Sequence, residues 1–387
     1  MIRIGFVFSF NSNAWLGGVN YFRNLLAAID ELPDRRIEPV IITPPNVAPD
    51  LMKNFPRFEI LPTTLVEAGN LAWKVRRVLQ KYAGRDMIFE VFLRKHRIAA
   101  LSHSGHLGRF CPVATLPWIP DFQELHLPEY FSAAERESRA NIATEACRNA
   151  TAVLLSSQTA AADFAASTDN CRGGAEVLPF VSALPPSTAF ASRAEIEARY
   201  GFCEPYFFLP NQFWAHKNHA VVLKALALLK ASGACPLVLA TGNTGDHRQP
   251  GHYAALMRQV DELGIGDRFR TLGLVPYNDI MSLMRWSVAT VNPSLFEGWS
   301  TTVEEAKSMG KVLILSDIAT HREQAPARGY FFAPHDAEGL AAQLTAQCDR
   351  YDAVEDDAAI KAAALEIEGR RRDFARRYED IVLRLVR

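Results

Sequence analysis

The 387 residues contain no run of about 18 uninterrupted apolar side chains, so no membrane-spanning helix is expected. The N-terminal stretch MIRIGFVFSFNSN has no long apolar core and no small-residue cleavage site, which argues against a secretory signal. Cysteine is sparse and unclustered: Cys111, Cys147, Cys171, Cys203, Cys235 and Cys348 form no CxxC pair and no group with histidine. That scatter argues against a zinc site, gives no reason to expect a disulfide framework and suits a reducing compartment. Net charge is lacking as well, because 42 Lys and Arg against 43 Asp and Glu leave −1 at pH 7. No overall field favours nucleic acid or an acidic membrane, and any such preference has to be a local patch. A cytoplasmic location is the default expectation.

What is present is an alternation of strands and helices. The length suits about two domains. IRIGFVFSF (2–10) reads as a strand, Gly17-Gly18 as a loop after it, and VNYFRNLLAAIDEL as a helix with Tyr21, Phe22, Leu25, Leu26 and Ile29 on one face. EPVIIT (38–43), IAALSHS (98–104), VATLPWI (113–119), AVLLSS (152–157) and EVLPFV (176–181) read as further strands. Pro185-Pro186 marks a linker that enters a helix near Ser192. A second series follows with strands at 206–212, 236–242, 268–275, 287–294 and 311–317, and the tail from about Ala358 reads as one or two helices. Continuous apolar strands of this kind predict parallel sheets covered on both faces, in two Rossmann-like halves. Ligands of such sheets sit beyond the carboxyl ends of the strands, so the strand-to-helix corners are the places to search.

In NPSLFEGWSTTVEEAKSMGK (292–311), Glu297 and Glu305 stand eight positions apart around a turn made by Gly298, Trp299, Ser300, Thr301 and Thr302. A capping box, Thr301 with Glu304 or Thr302 with Glu305, explains one of the adjacent acids but neither the other nor Glu297. A carboxylate facing a crevice there suits the two hydroxyls of a ribose, and free amides of the helix start favour phosphate. In LPNQFWAHKNH (209–219), Lys217 opens a helix, where a cation is misplaced with respect to the helix dipole; solvent exposure or pairing with a diphosphate each account for it. Gly17 and Gly18 let backbone amides approach a ligand, or simply make a turn. His103, His106, Asp121 and His126 gather at strand ends of the first half, where structural hydrogen bonding and turn capping are the plainer readings. Residues 73–98 hold eight Lys or Arg against two acids, interleaved with Val75, Val78, Leu79 and Tyr82. Such a run is a solvated helix face or a surface that adheres reversibly to anionic lipid.

NPSLFEGWSTTVEEAKSMGKVLILSD resembles the signature of retaining glycosyltransferases of family 4, in which two glutamates bracket seven residues ahead of a glycine and a valine-rich strand. LPNQFWAHKNH and WIPDFQELHLPEYFS are similar to corresponding family segments, and the resemblance spans nearly the whole chain. It implies an α/β GT-B architecture: two Rossmann-like domains facing across a cleft, an acceptor-side domain at 1–185, a donor-side domain at 200–365, and a C-terminal helix at 366–387 crossing back. By resemblance Glu305 binds the ribose of a nucleotide-sugar, Glu297 contacts the transferred sugar, and Lys217 meets the diphosphate. Gly17 and Gly18 approach the same phosphates, and Gly298, Trp299, Ser300 and Thr301 hold sugar and phosphate through their amides. His103 is the candidate sugar contact, with Asp121 and His126 on the acceptor side. Gln212 stands where family members often carry an arginine, so one cation is missing from the diphosphate site.

The reaction this implies is metal-independent transfer, with retention, from a nucleoside-diphosphate sugar to a hydroxyl of a glycan or lipid-linked glycan, in assembly of a bacterial surface polysaccharide or lipopolysaccharide. No cofactor, metal or nucleic acid is expected. The location is cytoplasmic, with segment 73–98 as the contact for a peripheral position on the inner face of the cell membrane. A nucleotide-sugar epimerase of the same fold and a non-catalytic sugar-nucleotide-binding partner are the competing readings.

Overall fold

The computed structural model describes residues 1–8, 16–46, 55–184 and 188–386. Among them the strands form three sheets in which every pairing is parallel. The chain divides into two compact units. The first comprises Met1–Leu125, Ser132–Val181 and Gly369–Arg387, and the second His126–Phe131 and Ser182–Glu368.

The first unit holds a five-stranded sheet, order β3-β2-β1-β4-β5, built from β1 (Ile2–Val7), β2 (Ile37–Thr43), β3 (Glu59–Pro62), β4 (Ile98–Ser102) and β5 (Ala114–Leu116). A second, three-stranded sheet runs β6 (Trp118–Ile119), β7 (Val153–Leu155), β8 (Ala175–Val177). The expected strand at 113–119 is thus two strands in two sheets, divided at Pro117, which has no N–H to offer a ladder. The helix Leu16–Asp30 buries Tyr21, Phe22, Leu25, Leu26 and Ile29, the face read from its spacing. Gly17 and Gly18 lie in the first turn of that helix rather than in a loop ahead of it. The loop itself falls at 9–15, outside the described residues, as does the Pro185-Pro186 linker.

The second unit holds one six-stranded sheet, order β11-β10-β9-β12-β13-β14, from β9 (Tyr206–Leu209), β10 (Leu237–Thr241), β11 (Phe269–Gly273), β12 (Thr290–Asn292), β13 (Leu313–Ser316) and β14 (Gly329–Phe332). β9, β10, β12 and β13 are buried along their whole length, as strands covered on both faces must be. The unit's lead-in helix Arg193–Tyr200 starts where expected, with Ser192 and Glu195 closing a capping box.

The tail is a single helix, Ala353–Leu385. Its last turns belong to the first unit, where Phe374, Tyr378, Ile381 and Val382 are buried and Arg36 Nε donates to the fully buried Glu379 at 2.8 Å. One expectation is overturned: Cys147 and Cys171 form a disulfide, with Cα atoms 4.4 Å apart. The pair is 24 residues apart in sequence and meets because β7 and the helix Gln158–Ser167 double the chain back on itself, which spacing alone does not reveal. No helix among the described residues is long and apolar enough to cross a membrane.

Candidate active site

The second unit's strand order reverses between β9 and β12, so the loops leaving these neighbours diverge and open a crevice at their carboxyl ends. Lys217 comes from the first of these loops and Glu297 from the second. After β9 the chain does not open a helix at Lys217. Ala215–Lys217 is a 3₁₀ turn, Asn218 adopts the left-handed conformation at φ 56°, and the helix His219–Ala231 begins only then. Lys217 therefore stands one residue ahead of the N-cap rather than in the first helical turn, and its charge is met by Glu297. Asn218 holds the turn by donating to the carbonyls of Pro293 and Pro334 at 3.0 and 2.7 Å. From the far side, Asp246 accepts the Ala215 amide at 3.0 Å. Gly242, at φ +147°, lies so close to this loop that a Cβ would sit 2.5 Å from the Asn211 carbonyl oxygen.

After β12, Ser300 is the N-cap of the helix Thr301–Ser308, accepting the Val303 amide. Neither expected capping box forms. With Ser300 as the cap the third helical residue is Val303, which cannot reciprocate. Glu304 instead turns inward, where Gln324 Nε2 donates to it at 3.2 Å. Glu305 is buried and accepts from the Tyr277 hydroxyl at 3.2 Å. Gly298 and Trp299 are half-buried in the turn, and Thr301 is half-buried in the first helical turn.

A polar network joins the two loops. Asn211 Nδ2 donates to Asn292 Oδ1 at 3.2 Å, Asn292 Nδ2 donates to Ser300 Oγ at 2.9 Å, and Ser294 Oγ donates to Glu297 Oε1 at 2.7 Å. Lys217 Nζ closes it with a 2.6 Å bond to the same Oε1. Glu297 is 9% exposed, and burial alone would push its carboxyl up; Lys217 and the neighbouring His321 outweigh that and hold it at about 2. His216 is pushed down to about 3, first by burial and then by Lys217, so it is neutral at pH 7. Lys217 and Glu297 are thus an ammonium and a carboxylate in contact. Gln212, on the loop after β9 that also carries Lys217, is half-buried.

Sequence reasoning missed Asn211, Asn292 and Tyr277 as partners, and also Thr320 and His321. Thr320 Oγ1 donates to the Glu297 carbonyl at 2.7 Å. His321 is buried, with Nδ1 donating to the Ser316 carbonyl at 2.9 Å and Nε2 lacking a partner among the described residues. Their one signal was a hydroxyl and an imidazole four and five residues past a buried strand end, in the helix Ala319–Gln324.

The first unit uses its candidates differently. His103, at φ 58°, has Nε2 bonded to the Tyr21 hydroxyl and Nδ1 to Ser102 Oγ, each at 2.8 Å, and stacks on Phe6. Burial pushes it down to about 3. Both ring nitrogens thus serve packing, where a sugar contact was expected. Asp121 pairs with Arg139 and accepts the Gln123 amide at 3.1 Å, so it caps a turn. His126 belongs to the second unit, its ring centroid 5.0 Å from that of Phe296, next to Glu297.

Residues 194–363 match the family described as Glycosyl transferases group 1. No curated protein matches the chain in sequence. Among solved structures, sucrose-phosphate synthase from Thermosynechococcus elongatus is similar, with TM-score 0.68 and 16% identity over 100% of this chain and 99% of that one. Anabaena HepE in complex with UDP and glucose is similar at TM-score 0.67 and 16% identity, over the same 100% and 99%. WaaG, a glycosyltransferase involved in lipopolysaccharide biosynthesis, is similar at TM-score 0.57 and 13% identity over 96% of this chain and 95% of that one. The chain therefore has the fold of GT-B glycosyltransferases, and its glycosyl transferases group 1 region spans Lys217, Glu297 and Glu305.

Proposed function

We propose that this protein moves a sugar from a nucleoside-diphosphate sugar to a hydroxyl acceptor, with retention at the anomeric carbon and without a metal. The observation that carries the reading is the 2.6 Å pair between Lys217 and Glu297 at the point where the strand order reverses. An ammonium has three donors, and Glu297 occupies one. The remaining two face the task of meeting a departing diphosphate, whose charge is the main obstacle to the reaction. Both bonds to Glu297 fall on Oε1, which leaves Oε2 for hydroxyls of the transferred sugar. Glu305 takes the ribose, and the amides from Gly298 to Thr301 take phosphate at the helix start. The leaving phosphate itself accepts the acceptor's proton, so no protein nucleophile is assigned. Solved structures of this fold hold UDP, UDP-glucose or UDP-2-fluoro glucose, which puts a uridine donor first.

A thermal-shift screen of UDP-, GDP-, ADP- and dTDP-sugars tests the donor. A stabilisation by one base class that Lys217→Ala abolishes supports the assignment, and a Lys217→Ala protein with wild-type transfer refutes it. The rate without acceptor separates a transferase from an epimerase, and EDTA is expected to leave transfer unchanged.

The acceptor we propose is a glycan or lipid-linked glycan of the bacterial surface, met at an anionic membrane. The helix Leu71–Ala83 exposes Leu71, Val75, Val78 and Tyr82 on one face, and Met87 and Val91 are exposed on the next helix. Arg76, Arg85 and Arg94 are tied to Asp86 and Glu90, so adhesion falls to cations such as Lys74. Sedimentation with phosphatidylglycerol vesicles is expected to fall in a Lys74→Glu, Val78→Asp variant; undiminished sedimentation would remove the membrane from this account.

A further inference from the structure

The first unit contains a cavity of about 1130 Å³ that is lined by His103 but by none of Lys217, Glu297 and Glu305. It opens beyond the carboxyl ends of β4 and β5, between the helices Leu71–Ala83 and Ala133–Asn149, with Trp118 in its wall. Four cations line it: Arg77, Lys81, Arg109 and Arg148. Several other arginines of this unit are paired, such as Arg76 with Asp86, Arg85 and Arg94 with Glu90, and Arg139 with Asp121. Among the described residues the four at the cavity make no ion pair. Two carboxylates, Glu137 and Glu145, also line it. Glu145 is already engaged by Asn149 Nδ2 at 2.9 Å and lies 3.6 Å from His106 Nε2.

The wall is built around one side chain. Gln80 is buried; its Oε1 accepts Arg77 at 2.9 Å while its Nε2 donates to the His106 carbonyl at 2.6 Å and faces His106 Nδ1 at 3.0 Å. The Gly108 amide also donates to Nδ1, so the ring carries its proton on Nε2. A guanidinium steered by a neutral amide keeps its remaining donors and its full charge for a ligand. Unpaired cations around one concavity repel one another and focus a positive potential, and an anion relieves both.

We propose that this cavity binds a phosphate or diphosphate group of the acceptor, with Arg77 as its fixed anchor. The part that names an acceptor rests on the transferase reading; the anion site does not. Calorimetric titration of the full chain with glucose 6-phosphate, farnesyl diphosphate and glucose tests it. One or both phosphorylated probes are expected to bind, glucose at least about tenfold more weakly, and Arg77→Gln to weaken the phosphorylated probe about tenfold with the unfolding midpoint kept. Tighter binding of farnesyl diphosphate identifies a lipid carrier as the source, and of glucose 6-phosphate a phosphorylated sugar. Absence of binding by both, or binding indifferent to Arg77→Gln and Arg148→Gln, overturns the proposal. If a phosphorylated probe binds through Arg77 while no nucleotide-sugar binds anywhere, the cavity stands and the transferase reading falls.

Discussion

Glu297 is a buried carboxylate kept ionised first by the Lys217 ammonium that touches it and then by its neighbour His321, and this makes the pair a source of acid sensitivity. Its carboxyl sits at about 2 in the folded protein against 4.5 for the free group. A depressed folded value means that the unfolded chain binds the proton first as pH falls. The pair's contribution is therefore complete above about pH 4.5 and is lost between there and about pH 2. About 3 kcal/mol is at stake by linkage. Urea unfolding of wild type and Glu297→Gln across pH 2.5–6 is expected to show a steeper acid loss in wild type; parallel curves would mean that Lys217 does not hold this carboxylate. Both residues were legible as candidates because neither an acid in a glycine turn nor a lysine before a helix has an adequate local explanation. Their contact with each other was not, since 80 residues separate them and only the adjacency of β9 and β12 brings their loops together.

The helix Thr301–Ser308 shows where local rules run one residue out. Two overlapping S/T-x-x-E patterns pointed to Thr301 or Thr302 as the cap, yet Ser300 takes the position because Asn292, at the end of β12, donates to its hydroxyl. Tertiary bonding decided among near-equal local choices. Ser300→Ala is expected to cost about 1–2 kcal/mol and Thr301→Ala less than about 0.5 kcal/mol. Urea midpoints measure both, and equal losses would contradict the assignment. Long apolar strands such as Leu237–Thr241 and Leu313–Ser316 could be read from hydrophobic runs alone. β3 and β14 could not: Glu59–Pro62 is largely exposed and Gly329–Phe332 is four residues opening on glycine, so each is a strand by virtue of its neighbour. Lys311 was read as the start of a strand and is in fact fully buried, donating to the Ser287 carbonyl at 2.8 Å and paired with Asp356. Composition gives no warning of a lysine in that setting.

At the scale of the whole molecule, the alternation of strand and helix was enough to give two doubly wound units, because parallel strands require crossovers and crossovers leave a periodic pattern. Which residues complete each unit was less visible. Residues 369–387 finish the first unit, and Tyr378 lies against Phe6 of β1 with ring centroids 6.0 Å apart. A chain ending at Glu368 is expected to lose the cooperative unfolding of the first unit while the second still melts as one; two intact calorimetric transitions in that truncation would contradict the assignment. The same arrangement bears on synthesis. A nascent polypeptide emerging from the ribosome can close its later-made half as soon as residues up to 368 are out, but the earlier-made half waits with Phe6 of β1 lacking its Tyr378 neighbour until the last turns of the helix Ala353–Leu385 arrive. Its oldest segment is thus the last to be sealed, and the interval in which a chaperone has something to hold falls on the N-terminal sheet.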